Sequence, residues 1–156
     1  MKDTLDPEIL AYIASQRVCV VALELPDGSP HAATVHFAHE DAPFACIVQT
    51  SPDSRKGEAF VDRDTIRASL VVGLEEAGGN EKTFQMDGIA RIMEPGEDFG
   101  KIYLDKFPRK EEKYFTDIFL IITPTWWRFT DWSRPEGKTI VTSDGTTSVG
   151  GKLVEG

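Results

Sequence analysis

Cysteine is scarce in this sequence, with only Cys19 and Cys46 among 156 residues. Both lie inside apolar runs of the kind that form strands, so we expect them to be small buried hydrophobic residues. Neither a disulfide framework nor a cysteine-based metal site is therefore predicted. The first residues also lack the basic-then-apolar layout of a secretory signal, and we expect a cytoplasmic protein.

Long apolar runs and an excess of positive charge are also missing. No run approaches the roughly 20 residues that span a bilayer, so no membrane partner is expected. Acidic residues number 26 against 17 basic ones, which gives a net charge of −9. A surface this acidic repels a polyphosphate backbone, and nucleic acid is therefore not expected as a partner.

The common catalytic and cofactor motifs are absent as well. The sequence has no Ser-His-Asp order, no glycine-rich dinucleotide fingerprint and no Cys-x-x-Cys pair. His31 and His39 bracket one predicted strand that contains His36, and strand geometry spreads the three over ~25 Å, so a three-histidine metal site is not predicted. We therefore expect no catalytic side chain and no metal ligand.

Hydrophobic patterning indicates a mainly β protein. The turns and a long strand with an internal glycine, Gly88, favour an antiparallel barrel of about six strands with peripheral helices. Short helices are predicted after Asp6, over Asp53–Asp62 and over Pro95–Phe107. The predicted strands are Val18–Leu23, His31–Ala38, Phe44–Gln49, Ile66–Leu74, Lys82–Met93 and Phe115–Trp132, the last with a break at Pro124.

A single domain is expected, because 156 residues can bury a sizeable core. We assign residues 1–142 to this domain and residues 143–156 to a C-terminal tail. The tail is rich in Gly, Ser and Thr, and we expect it to be mobile or to wrap a neighbour. A loop is predicted over Glu75–Glu81 and a short helical turn over Arg109–Tyr114.

The most informative stretch is Gln49–Lys56, which reads Q-T-S-P-D-S-R-K. Hydroxyl and amide side chains follow a predicted strand, and two adjacent cations, Arg55 and Lys56, stand at the start of a helix. Cations there oppose the helix dipole, and a bound anion removes the conflict. Backbone N–H groups, hydroxyls and two positive charges around one volume suit a phosphate. The stretch predicts an anion-binding turn, and the alternative is a solvated basic pair.

The x-T-x-x-x-S-R-K spacing at Thr50 and Ser54–Lys56, in this strand order, resembles that of a known family. These are the FMN-binding split β-barrels related to pyridoxamine 5'-phosphate oxidase, in particular their short, stress-protein-like members. The resemblance extends from Pro7 to Trp132. It implies a six-stranded antiparallel split barrel that forms a homodimer, with FMN bound at the subunit interface.

The resemblance also implies which residues hold the cofactor. The phosphate would be bound by the turn, the isoalloxazine edge by the second strand, and the remaining contacts would come from the long strand and a tryptophan. The implied residues are Thr34, Val35, His36, Gln49, Thr50, Ser51, Ser54, Arg55, Lys56, Thr83, Gln85 and Trp127. The choice between Thr83 and Gln85 stays open, because they share one face of a strand, and so does that between Trp126 and Trp127.

Two features of the oxidase itself are missing from the sequence. Ala33–Thr34 stand where the oxidase has a basic residue, and Thr130–Arg134 do not fit its C-terminal substrate-binding segment. The first departure implies that one phosphate contact is missing, and the second argues against oxidation of vitamin B6.

The functional hypothesis is an FMN-dependent oxidoreductase. It would transfer hydride or electrons between a reduced nicotinamide-type donor and an unidentified small molecule. One alternative is a non-catalytic flavin-binding or stress-response protein. Another is a split barrel adapted to haem or a deazaflavin, with His36 as the candidate axial ligand. The competing interpretation of His36 is a strand histidine packed at the dimer interface.

Overall fold

The computed structural model describes residues 4–73, 81–109 and 116–154. It confirms the predicted fold class, a mainly antiparallel β protein with few helices. The strands of seven or more residues are the six predicted ones: β1 (Val18–Glu24), β2 (Pro30–His36), β4 (Phe44–Thr50), β5 (Thr65–Val72), β6 (Lys82–Ile92) and β7 (Ile118–Asp131). Shorter strands are β3 (Ala38–Asp41), β8 (Thr139–Thr142), β9 (Thr147–Val149) and β10 (Lys152–Leu153).

The helices of the described ranges lie outside the sheet. They are α1 (Pro7–Ser15), α2 (Arg55–Glu58) and α3 (Phe99–Lys106). Asp6 precedes α1 as predicted, but its side chain makes no capping hydrogen bond. Its carbonyl oxygen instead accepts from the backbone N–H of Leu10. None of these helices is long and apolar enough to cross a membrane.

One sheet contains all the described strands. Neighbours follow the order β10-β9-β8-β7-β6-β5-β1-β2, and β4 pairs with both β3 and β7. β7 pairs with β6 along its length, with β4 through Ile118–Ile122 and with β8 through Arg128–Asp131. No ladder joins β2 to β4 in the described ranges, so the barrel is open on that side.

A single residue, Phe37, divides the predicted second strand into β2 and β3. Its ring is fully buried, and its backbone N–H donates to the Arg17 carbonyl at 3.2 Å. Before this residue the chain pairs with β1, and after it Ala38 pairs with Ile47 of β4. At Phe37 the chain therefore changes its pairing partner from β1 to β4, which brings the end of β2 near the end of β4.

The long strand β6 meets an irregularity of β7 at Gly88, as the internal glycine predicts. Asp87 pairs with Trp126 and Gly88 pairs with Pro124, so Thr125 is an extra residue on β7. A Cβ on Gly88 would lie 2.3 Å from the carbonyl oxygen of Thr123. The predicted bend at Gly88 and the predicted break at Pro124 are two sides of one β-bulge.

Two hydrophobic clusters fill the interior. The larger one packs the inner faces of the long strands against Ile9 and Ile13 of α1. The smaller one joins Tyr103 and Phe107 at α3 to the outer side of β4 and β7. Because α3 packs at this end of β4, it lies next to the turn that follows that strand.

Part of the predicted tail forms strands, since β9 and β10 extend the sheet beyond β8. The division of the chain at residue 142 stays a prediction. The predicted loop over Glu75–Glu81 and the predicted turn over Arg109–Tyr114 lie almost entirely outside the described residues.

The bulge yields a stability prediction. Gly88→Ala should lower the free energy of unfolding by roughly 1–3 kcal/mol, because the new methyl group meets backbone that cannot rotate away. Thr125→Ala, at an exposed position on the facing strand, is the control and should stay within about 0.5 kcal/mol of the parent. Urea denaturation measures both, and equal midpoints for the parent and Gly88→Ala would contradict the close approach of the two backbones at the bulge.

Candidate functional site

The turn after β4 is held by a chain of hydroxyl hydrogen bonds. The Ser54 hydroxyl donates to the Ser51 carbonyl at 2.7 Å and accepts from the Gly57 backbone N–H at 3.1 Å. The Thr50 and Ser54 hydroxyl oxygens are 2.9 Å apart. A hydroxyl has one proton, and that of Ser54 is already donated, so Thr50 must donate to Ser54. Ser54 thereby uses its proton and both lone pairs to hold the turn.

Gly57 allows this turn to fold back onto α2. A Cβ there would lie 2.3 Å from the carbonyl oxygen of Pro52 and 2.8 Å from that of Ser51. Ser51 is exposed, and its hydroxyl oxygen accepts from the Asp53 N–H at 3.2 Å, which leaves the hydroxyl proton for another acceptor. Ser51 is therefore the hydroxyl of this turn that can donate to a bound anion.

The helix predicted over Asp53–Asp62 is shorter than expected and begins two residues later. α2 spans only Arg55–Glu58, and its cap is Ser54, although Asp53 just before it is also of a residue type that caps helices. Ser54 is favoured because its hydroxyl reaches both the Gly57 N–H and the Thr50 hydroxyl. Arg55 and Lys56 form the first turn, as the sequence predicts.

The two cations have different surroundings. The Arg55 side chain is 59% exposed, and its guanidinium lies 3.8 Å from the equally exposed Glu58 carboxylate, a weak surface pair. Lys56 is half-buried. The pKa of Asp27 is lowered mainly by hydrogen bonds from Ser29, and the Arg55 charge lowers it further. Arg55 is therefore near the β1–β2 hairpin tip.

The predicted residues of β2 lie at an open edge of the sheet. Thr34 and His36 are exposed, while Val35 is half-buried and packs against the larger core cluster. β2 and β4 contact each other, although no ladder joins them. The end of β2 is therefore brought to the side of β4 that leads into the turn.

His36 packs against Phe107, with ring centroids 5.0 Å apart. The loss of water around the imidazole lowers the pKa of His36, and the positive charges of Arg109 and Arg17 lower it further. The imidazole is therefore neutral at neutral pH, in the form that can accept a hydrogen bond or bind a metal.

A cavity of about 410 Å³ opens beside the turn. Its walls include the predicted residues Gln49, Thr50 and Ser51. The other lining residues were not predicted as site residues: Tyr103, Arg109, Thr116 and Asp117. Burial raises the pKa of the Tyr103 phenol, and a hydrogen bond with Arg109 acts in the opposite direction.

Sequence reasoning missed these residues because their signals are ambiguous. Tyr103 occupies an apolar position of a helix, where an aromatic residue normally indicates core packing. Arg109 begins a charged stretch that resembles a solvated segment. The sequence did contain a signal for Tyr103. A buried tyrosine usually needs a hydrogen-bond partner, and an arginine, Arg109, follows Tyr103 by six residues.

Thr83 and Gln85 lie elsewhere, on the outer face of the sheet. The strand register aligns Thr34 with Val20, Val20 with Val71 and Val71 with Gln85. Thr34 and Gln85 therefore share one face but are three strand spacings apart, about 14 Å. Within a single subunit they do not contact the turn after β4.

Trp127 is placed in the barrel core. Its side chain is 1% exposed and stacks on Phe84 at a centroid distance of 6.1 Å. Its indole Nε1 has no hydrogen-bond partner among the described residues. Trp126, with the opposite orientation on β7, is half-buried on the outer face.

A larger cavity, of about 480 Å³, lies on the same outer face and contains none of the predicted site residues. Its polar groups already pair with one another: Glu24 with Arg67, and Ser69 with Asp87 at 3.0 Å. In the described ranges, no three His, Cys, Asp or Glu side chains come together as a metal site requires. The turn after β4 is therefore the candidate site.

Comparison with known families gives one match. A family model for pyridoxamine 5'-phosphate oxidase matches residues 5–131. Comparison with proteins of curated function gives no match.

Solved structures share the fold at low sequence identity. A conserved hypothetical protein from Mycobacterium tuberculosis is 21% identical, with a TM-score of 0.62 over 84% of this chain and 88% of that one. A haem-binding protein from Mycobacterium smegmatis is 16% identical, with a TM-score of 0.63 over 89% of this chain and 59% of that one. A pyridoxamine 5'-phosphate oxidase-related, FMN-binding protein from Nostoc punctiforme is 12% identical, with a TM-score of 0.61 over 99% and 100%.

The hydroxyl chain of the turn is testable through stability. Ser54→Ala removes the helix cap and the acceptor of the Thr50 hydroxyl, and should cost roughly 1–2 kcal/mol. Ser54→Thr keeps the hydroxyl and should recover most of that loss. Urea denaturation of the two variants beside the parent gives the values, and equal losses for Ala and Thr would rule out a role for the hydroxyl.

Proposed function

This chain belongs to the pyridoxamine 5'-phosphate oxidase family, and from that premise we propose that it binds FMN and acts as an oxidoreductase. The observation that carries the proposal is the turn after β4. Two adjacent cations, Arg55 and Lys56, follow a rigid hydroxyl-bonded turn beside a cavity of about 410 Å³. A relative of the same fold from Nostoc punctiforme binds FMN.

The residues of the turn fit a phosphate in a specific way. The Thr50 and Ser54 protons are used inside the turn, so these hydroxyls fix its shape. The donors toward the phosphate are then Arg55, Lys56 and the Ser51 hydroxyl. Charged donors make the stronger hydrogen bonds to phosphate oxygens, so the two cations carry most of the binding.

The isoalloxazine ring is assigned to the open edge at β2. Thr34, Val35 and His36 end close to β4, and backbone groups of an edge strand have no ladder partner on that side. FMN, when bound, would supply the redox chemistry, and the protein would supply position and electrostatics. A reduced nicotinamide is proposed as the donor and a small molecule as the acceptor.

A homodimer is proposed because part of the predicted site lies on the outer face of the sheet. Thr83 and Gln85 do not contact the turn within one subunit, and a second copy can bring this face to the first copy's flavin. The four residues that align across the strands on this face, Thr34, Val20, Val71 and Gln85, are uncharged. Two exposed large hydrophobic side chains, Val71 and Ile89, lie on this same face.

Haem binding is the second candidate. It is supported by the haem-binding relative from Mycobacterium smegmatis and by the exposed, neutral His36 imidazole. A visible spectrum of the purified protein separates the candidates, because flavin gives twin bands and haem gives a Soret band. Stopped-flow reduction by a nicotinamide donor then separates an oxidoreductase from a protein that only binds flavin.

The turn can be tested by removing its two cations. Arg55→Ala with Lys56→Ala should weaken FMN binding by several kcal/mol, since each charged contact contributes ~1.5–3 kcal/mol. Fluorescence titration of the flavin-free protein measures the affinity.

The matched control removes two exposed cations elsewhere, Lys101→Ala with Lys152→Ala, and makes the same change in net charge. It should bind FMN as the parent does. If both double variants retain the parent affinity, the phosphate is not held by this turn.

The proposed dimer face can be tested by charge insertion. Val71→Asp should produce a monomer of 17.3 kDa, because a carboxylate is costly to bury in an apolar interface. Val61→Asp, at an exposed valine away from this face, is the control and should leave the mass unchanged. Light scattering after gel filtration reports the mass, and a parent protein that is already monomeric would refute the dimer.

A further inference from the structure

Basic side chains surround the Phe107 ring at the end of α3. The Arg17 guanidinium carbon lies 4.9 Å from the ring centroid, the Lys106 ammonium 5.5 Å and the His36 ring centroid 5.0 Å. We call Arg17, His36 and Lys106 the Phe107 cluster. Its members come from the loop before β1, the end of β2 and the end of α3, so the fold assembles three basic groups at one ring.

The two permanent charges of the cluster have no carboxylate partner in the described part of the chain. Arg17 and Lys106 form no ion pair there, although the net charge is −9. The arginines that do pair with a carboxylate are Arg55, Arg63, Arg67, Arg91 and Arg134. An acidic protein that pairs most of its arginines leaves this cluster positive.

Lys106 is held in a defined position. Its ammonium donates to the Gln16 carbonyl at 2.6 Å and lies 4.8 Å from the Phe37 ring centroid. Burial lowers the pKa of Lys106, and the Arg17 charge lowers it further. An ammonium has three protons, so two remain for a further acceptor.

The nearby acidic groups are engaged elsewhere. The Asp41 carboxylate lies 2.9 Å from the His39 imidazole, which also feels the Lys106 charge. Asp117 lines the cavity beside Tyr103. Neither carboxylate is at ion-pair distance from Arg17 or Lys106, so neither neutralises the cluster.

We propose that the Phe107 cluster binds an oxyanion, the phosphate or carboxylate group of a small molecule. Arg17 offers a planar fork of N–H donors that matches an oxyanion, and Lys106 offers a fixed point charge. His36 adds a donor when it is protonated. This site uses none of the cations of the turn after β4, but it shares His36 with the β2 edge that is proposed for the isoalloxazine ring.

The test uses inorganic phosphate and succinate as separate probes of the full-length chain. Titrations are made in the Arg55→Gln, Lys56→Gln background, so that binding at the turn does not contribute. Adding Arg17→Gln and Lys106→Gln should weaken binding of either probe at least about tenfold, the change expected for one charge-assisted hydrogen bond. Adding Lys101→Gln, an exposed lysine of the same helix, should change it less than about twofold.

Each outcome decides the proposal. Unchanged affinity after Arg17→Gln and Lys106→Gln overturns it, and so does binding that is already lost in the background variant. Binding of phosphate without succinate, or the reverse, supports the site and identifies the anion it prefers. If the variant carrying both changes does not fold, Arg17→Gln alone repeats the test at an exposed position, and Arg17→Lys should retain most of the affinity.

Discussion

The pairing of β7 with three neighbours is the constraint on which the structure depends. β6 runs along the whole strand, while β4 takes its first half and β8 its second. Because Thr50 pairs with Ile118, the end of β4 lies at the start of β7. Thr116 and Asp117, which precede β7, therefore lie next to the turn after β4. The cavity with Tyr103 and Asp117 is a direct result of that pairing.

Electrostatics at this end of the barrel differ from those of the rest of the surface. Elsewhere several arginines pair closely with carboxylates, as in the bidentate Arg91–Glu97 pair at 2.6 and 2.7 Å. Near α2 the Arg55 guanidinium has only an exposed carboxylate partner at 3.8 Å, and at the end of α3 neither Arg17 nor Lys106 forms an ion pair in the described ranges. Arg17, Arg55, Lys56 and Lys106 thus lie near the ends of β2, β4 and α3. An anionic small molecule is attracted there while a polyanion is repelled by the remaining surface.

Local patterns were sufficient for the strands and the turn, because their signals lie within a few residues. Alternation located the six long strands, and Gly88 marked the bulge. The cap at Ser54 was harder, since Asp53 is an equally good capping residue and only contact with Thr50 decides between them. Tyr103 and Arg109 needed long-range information, because their neighbours in the cavity are about fifty residues earlier in the chain. The same holds for Trp127, whose orientation depends on the register between β6 and β7.

The C-terminal strands are attached to β7 through Arg128–Asp131 and through two hydrogen bonds between Trp127 and Ser143. The opposite half of the same strand holds β4, and the two halves are separated by the bulge at Thr125. Insertions, deletions or altered lengths after residue 131 can therefore accumulate during evolution without shifting β4. The family match ends at that same residue. The end of the chain is thus a unit whose length can change without moving the strands that position the candidate site.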